Sequence, residues 1–562
     1  LLLLTALVLS PVLGTPAPTA RADELLEAIP AEAWGFVGVR NLAEFDKKII
    51  SLSQAINAPM AGTSLLAMAK GFLGLVLGVN DNGGLAVVAM PAESFDTIGD
   101  AMALLVPTND YKELLSLMQP EDAGDGFSKI LFQGNEAYAM PKGNFAVFGP
   151  SREAVQAVVK SSKGVTSALS AHQLERWASD DLTVWVNGLT VTSSPAYAAV
   201  REQIGGGVKA VQEMVESFSS AQLSLQSSPA GLRLGLFIAP KADTPMAKMM
   251  AGLKAPSSSL LTGLPGGSFA LVWAAVSNAE MANYRAQAFD DMLATAISSH
   301  HEIDADALSS LRDAIKPLMQ QIRSGSFSIS VLPEGPDGVL AVNAIVAVEG
   351  GAAQYLASFG QLVSVVTGDL IPDEEAAAMV KKVLEYRAGA EDGSTDHLVL
   401  KLDQLEQADE EWLAYVSKIL GKDGLLIRLS AVDGDHVAMT LGGGAAQMKT
   451  LAQTIRSKQS PLAESAEIKK MADLLPAGRV WEAYLSANGL SALAAAITKA
   501  VDVEMPFQLP PIDAPVTAYG TVTQGGGSQT DCVIPVELLK AAMQAASAAM
   551  MGGGGPPPGG PM

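Results

Sequence analysis

The chain of 562 residues holds a single cysteine, Cys532, so no intrachain disulfide can form and stability must come from a packed core. Aromatic residues reach only 5%, too few to favour the exposed ring platform of a carbohydrate-binding surface. Basic residues are also scarce: 37 Lys and Arg stand against 59 Asp and Glu, a formal net charge of −22. Without a basic block the chain is a poor match for nucleic acid or anionic lipid, which clustered Lys and Arg neutralise. Beyond the N-terminal segment no apolar run reaches the roughly 18 residues a membrane span needs. The nearest, SLLAMAKGFLGLVLGVN, is broken by Lys70 and several glycines. The G-x-S-x-G elbow, the G-x-x-x-x-G-K-[ST] phosphate loop and the H-E-x-x-H zinc helix are all missing. No cofactor is expected, and the chain leans away from enzymes.

What is present begins with LLLLTALVLSPVLG, an apolar uncharged stretch followed by TPAPTARA and an acidic DE. This is the pattern of a secretory signal, with Ala20 and Ala22 as the small residues of an A-x-A cleavage site. The expected organisation is a signal peptide over residues 1–22, a first lobe over 23–260, a second over 261–551, and a Gly/Pro tail over 552–562 that cannot build a core. The mature chain is expected outside the cytoplasm, without a transmembrane span. Nearly half of the residues are apolar, ample material for cores without staples.

The two-lobe expectation rests on internal repetition. IPAEAWGFVGVRNLAEFDKKIISL, from residue 29, is answered by LPGGSFALVWAAVSNAEMANYRAQAFDDML, from residue 264. Each has an aliphatic-Pro start, a short apolar strand and then a helix. Asn41 stands three residues before Glu44, and Ser277 three before Glu280, the spacing of a reciprocal helix cap. Leu42, Phe45, Ile49 and Leu52 then recur at helical intervals and define one buried face. NFAVFGPSREAVQAVVKS is answered in the same order by HVAMTLGGGAAQMKTLAQTI. Both continue through a short helix into another strand, DLTVWVN or GRVWEAYLS. Between these anchors Leu223 and Leu225, then Leu232, Leu234, Leu236 and Ile238, alternate about SSPAG. Phe327, Ile329 and Val331 alternate before PEGPDG. Period-two alternation around a Gly/Pro turn predicts antiparallel strands with one wet face. GLVLGVNDNGGLAVVAM and VTAYGTVTQGGGSQTDCVIPV predict two further hairpins. The fold class is therefore α+β: two tandem duplicated lobes, each a mainly antiparallel sheet with helices packed on one face.

Candidate chemistry is thin. HHEIDAD brings His300 and His301 beside Asp304 and Asp306, side chains able to bind a divalent cation, although without the ligand spacing of a zinc or calcium loop. The same acids also suit a helix N-terminus. The Gly runs at 205–207, 442–444 and 525–527 read as turns. Cys532, in CVIPV, reads as a core residue. Trp34, Trp185, Trp273 and Trp481 each lie near a strand that opens a unit and are expected to pack against the following helix. Leu539, Met543 and Met550 share one helical face, more often core than a docking stripe.

Three segments, IPAEAWGFVGV, LLVPTNDYKELLSLM and FAVFGPSREAVQAVV, resemble a group of uncharacterised bacterial exported proteins classed as a domain of unknown function. In the second half GGGAAQ replaces GPSRE. The resemblance implies export and assigns no catalytic residue. Two functions follow. One is a non-enzymatic protein of the cell envelope or exterior that binds a protein or an apolar ligand. The other is a secreted hydrolase whose site is assembled from distant segments of one lobe.

Overall fold

A computed structural model describes residues 20–58, 61–204, 209–228, 231–299, 305–368, 374–404, 409–503 and 511–552. The protein is α+β and forms two compact units. The first contains the chain up to Ala247 and again from Thr523; the second runs from Lys248 to Val522. The boundary expected at 260/261 thus falls between Ala247 and Lys248, and the C-terminal segment belongs with the first unit.

The first ten strands are β1 Gly35–Val39, β2 Leu85–Ala89, β3 Met102–Pro107, β4 Glu121–Asp122, β5 Ser128–Phe132, β6 Asn135–Lys142, β7 Phe145–Gly149, β8 Leu182–Val186, β9 Phe218–Ser228 and β10 Gly231–Pro240. The second unit supplies β11 Phe269–Val276, β12 Ile322–Val331, β13 Leu340–Val348, β14 Leu384–Glu391, β15 Thr395–Leu400, β16 Leu426–Ala431, β17 His436–Leu441, β18 Arg479–Leu485 and β19 Val516–Val522, and β20 is Ser528–Pro535. In the first unit the hydrogen-bonded order is β4-β5-β6-β7-β3-β2-β1-β8-β9-β10-β20, antiparallel throughout. In the second it is β14-β15-β16-β17-β13-β12-β11-β18-β19, again antiparallel. Each strand of the second order stands where the strand ten places earlier in the chain stands in the first. β20 runs along β10 from Ser528 opposite Ile238 to Pro535 opposite Gly231, which is why the last segment groups with the first unit.

The first repeated segment folds as read. β1 leads into the helix Leu42–Ala55, whose Asn41 cap accepts the Glu44 N–H and whose Leu42, Phe45, Ile49 and Leu52 are buried. Each such side chain contributes roughly 1.5–3 kcal/mol when fully buried. In the second unit the cap is Asn278 rather than Ser277: its Oδ1 accepts the Met281 N–H at 2.8 Å, and the helix spans Ala279–Ser299. The hairpin expected in GLVLGVNDNGGLAVVAM is only half present. Val79 instead makes an isolated bridge to Thr108, and Gly78 before it takes φ +70°, where a Cβ would strike the backbone of Asp110 and Leu114.

Helices cover one sheet face of the first unit and part of the other. On the inner face Phe36, Val88, Leu105 and Val147 pack with Trp177 and Trp185. On the outer face Val106, Ala146 and Phe148 pack with Leu114 and Leu115. The helix Leu42–Ala55 and the C-terminal helix close one end of the outer face, where Leu52 and Ile56 meet Leu225, Leu232, Leu539 and Met543. In the second unit Tyr355 and Leu356, from the helix Ala352–Gly368, pack on Leu429 and Val437. Among the described residues no helix is long and apolar enough to cross a membrane.

Candidate functional site

Successive strand side chains point to opposite faces, so register decides what each face presents. Across β8, β9 and β10 of the first unit, Thr183 stands opposite Ser224 and Trp185 opposite Gln222, while Ser224 in turn stands opposite Gly235. Thr183, Gln222 and Ser224 are all buried. The alternate positions form the other face: Val87, Val37, Val184, Leu223 and Leu236 stand side by side on five neighbouring strands. Leu223 is 49% exposed and Leu236 38%. The next row holds Ala89, Gly35, Val186, Ala221 and Ile238, with Val186 37% exposed. The sheet has one wet face as expected, and the sides are inverted from the usual arrangement: its Ser/Gln side is buried and much of its Leu/Val side is open.

The second unit repeats the inversion. Ser326, Ser328 and Ser330 of β12 are buried, whereas Phe327, Ile329 and Val331 between them are only half-buried. Trp273 stands opposite Phe327 and Ala483, its ring 5.8 Å from that of Phe327, and it remains 37% exposed. Trp34 and Trp185 are core residues as expected, but Trp273 and Trp481 are not fully buried. Gly520 leaves the space into which the Trp481 indole fits.

What holds the polar side in is a charged layer beneath the helix Ala171–Ser179. The Arg176 guanidinium reaches Asp180 at 3.1 Å, Ser224 Oγ at 2.7 Å and Asp531 at 3.4 Å. Arg233 pairs with Asp531 at 2.8 Å, and Gln529 Nε2 donates to the same carboxylate at 2.9 Å. Gly235 makes room: a Cβ there would strike Arg176, Asp531 and Ser224. Asp531 and Asp180 are fully buried. Burial raises Asp180 to about 6 despite the opposing pull of Arg176 and the Ser224 hydroxyl. Ser224 is satisfied by Arg176, whereas Thr183 Oγ1, Trp185 Nε1 and both amide atoms of Gln222 are buried with no hydrogen-bond partner among the described residues, and the leucine side is left outward.

The open rows contain no charged side chain and no side-chain hydrogen-bonding group, and their backbone groups are committed to the ladder. Such a surface recognises by apolar contact alone. At a strand spacing of about 4.8 Å, five strands give a track roughly 19 Å long. Met68 and Phe72 of the helix Leu65–Leu73 are further exposed apolar side chains of this unit, Phe72 at 76%.

The cation candidates are not brought into this site. His300, His301 and Asp304 lie outside the described residues, as do 1–19 of the signal segment and 553–562 of the tail. Asp306 falls in the helix Ala305–Gln321, its side chain outside the description. Among the described residues no group of three metal-ligating side chains occurs. Cys532, on the outer side of β20 opposite Leu234, is half-buried, and burial together with the neighbouring Asp531 carboxylate raises its thiol pKa, as befits an unreactive packing residue. Gly442, Gly443 and Gly444 all take positive φ, the turn expected of them. The leucines of the open face were visible in the sequence as an alternation, but nothing in that alternation says which side a helix will cover.

No protein-family model matches the chain, and no curated protein matches it. Solved structures of TP0453 in crystal forms III and I align over 51% of this chain and over 100% and 98% of theirs, at 9% identity with TM-scores of 0.22 and 0.21. Likeness at this level settles neither fold nor function.

Proposed function

We propose that the protein is an exported, non-enzymatic binder of long apolar chains, held against the open leucine and valine rows of its sheet. The inversion carries this reading: the side chains that would wet a surface are spent inward, and those that would build a core are turned out. Leaving apolar area in water costs about 25 cal/mol per Å², and contiguous apolar patches of this kind mark binding surfaces. An aliphatic chain is the occupant. The rows offer no polar group to orient a protein partner, two copies each carrying −22 repel one another, and a track of roughly 19 Å suits an acyl chain laid across the strands.

Export forms part of the proposal, supported by the apolar segment LLLLTALVLSPVLG and the A-x-A site at Ala20 and Ala22, and by the resemblance to exported proteins of unknown function. Descent of both units from one duplicated template is also proposed, supported by their common strand order and by the paired strand-helix segments. The test is titration with the fluorescent probe N-phenyl-1-naphthylamine, followed by displacement with palmitate. Saturable binding is expected, weakened at least tenfold in the double variant Leu223→Ser with Leu236→Ser, whose urea midpoint stays near that of the parent because both side chains are already exposed. Absence of saturable binding, or binding untouched by the double variant, overturns the proposal.

A further inference from the structure

The second unit contains a cleft of ≈290 Å³ whose wall combines hydroxyls, two basic side chains and an aliphatic floor. Ser258, Ser324 and Ser326 line it with His436 and Lys458, and Ile345 and Ile455 are among its apolar residues. The order of the chain explains the assembly. Ser324 and Ser326 come from the start of β12, Ile345 from its neighbour β13, and His436 from the first residue of β17, which pairs with β13. Lys458 ends the helix Gly444–Ser457 in the left-handed conformation.

Three observations indicate a ligand. Ser326 lines the cleft, and its hydroxyl makes no hydrogen bond to another described residue, so it is available to a group bound there. Lys458 makes no ion pair among the described residues, in a chain where acids outnumber bases by 59 to 37. The imidazole of His436 is already oriented: its Nδ1 donates to the Asp433 carboxylate at 2.9 and 3.0 Å, leaving Nε2 as the ring's free hydrogen-bonding atom. Asp433 is itself fixed by the N–H groups of Asp435 and His436 at 2.9 and 2.8 Å. Burial works against its ionisation, but these donors outweigh it and hold Asp433 below the ordinary carboxylate range.

We infer that this cleft is a binding site for a small carboxylate with a short aliphatic body. Lys458, His436 Nε2 and the Ser326 hydroxyl receive the carboxylate, and Ile345 and Ile455 receive the hydrocarbon. The site lies within the second unit and shares no residue with the open sheet rows of the first, so it does not depend on them.

The experiment is isothermal titration of the full chain with hexanoate, with hexanol and inorganic phosphate as comparators. Hexanoate is expected to bind one site, hexanol at least tenfold more weakly, and phosphate more weakly than hexanoate for want of an apolar body. Lys458→Gln and Ser326→Ala are each expected to weaken hexanoate fivefold or more while retaining the parental circular dichroism spectrum and Tm. Leu223→Ser with Leu236→Ser leaves hexanoate binding unchanged, which separates this site from the sheet face. Hexanol binding as tightly as hexanoate, phosphate binding more tightly than either, or full hexanoate affinity in both cleft variants overturns the inference.

Discussion

The two units follow one strand order and bury different chemistry within it. On the inner face of β2 and β3 the first unit places Ala86, Val88, Ala103 and Leu105, all buried in an apolar cluster. At the same places in the order, β12 and β13 bury Ser326, Ser328, Ser330 and Asn343. Asn343 Nδ2 donates to Ser328 at 3.2 Å and Ser330 at 3.1 Å, and its Oδ1 accepts Gln447 Nε2 at 2.6 Å. The first unit instead concentrates its polar interior under the helix Ala171–Ser179, as charge. Strand order is therefore set by turns and alternation, while the inner face is free to be oil, amide or ion pair provided the covering helix supplies partners.

Replacing Asp531 by Ala breaks this contrast most severely. It takes from Arg176 one of its two carboxylates, leaving Asp180, and removes the carboxylate that Arg233 pairs with at 2.8 Å, and removal of one partner of a buried ion pair costs about 3–5 kcal/mol. Urea denaturation followed by the fluorescence of Trp177 and Trp185, both in the first unit, reads the loss.

Asp180 gives the comparison a pH dependence. Its folded pKa, about 6, lies above the ordinary aspartate value of 3.8, so between those values the folded state binds the extra proton. Its contribution to stability is present in acid and is lost as pH rises through about 6. A shift of this size corresponds to about 3 kcal/mol. Asp180→Asn is expected to abolish the part of the Tm change between pH 5 and 7.5 that this residue supplies, so the difference between parent and variant narrows at the acid end.

In the second unit Asn343→Ala removes neutral partners only. The expected cost is about 1–3 kcal/mol, with no such pH dependence; a loss as large as that of Asp531→Ala would erase the distinction between an ionic and a neutral layer. The smallest effect is at the caps. Asn41→Ala and Asn278→Ala each should cost about 1 kcal/mol, read as equal shifts in the urea midpoint if both caps serve their helices alike.

Much of this architecture could be read from the residues. The Asn41 cap, the buried stripe from Leu42 to Leu52, and the strand-helix steps at Phe145 and His436 depend on contacts a few residues apart, and local chemistry specifies them. The inversion of β9, β10 and β12 could not be read in that way. Ser224 and Leu223 alternate identically whether the serine or the leucine faces water; the choice is made by Arg176, some fifty residues earlier, and by Asp531, some three hundred later. The cap of the second-unit helix falls at Asn278 rather than Ser277 for a smaller reason, since each side chain offers an acceptor and they are one position apart. The cleft drew on β12, β13, β17 and a helix end, and its one sequence signal, His436 after DGD, is also what an ordinary tight turn looks like.

The pairing of β10 with β20 bears on the order of assembly during synthesis. The Asp531 carboxylate that pairs with Arg176 and Arg233 is translated about three hundred to three hundred and fifty residues after them, so the N-terminal unit lacks it while the whole of the other unit is being made. A nascent chain halted at Val522 would display an unpaired β10 edge and lack the Asp531 carboxylate beneath it, a state that invites chaperone capture. Only when Asp531 has emerged can the first-made unit close.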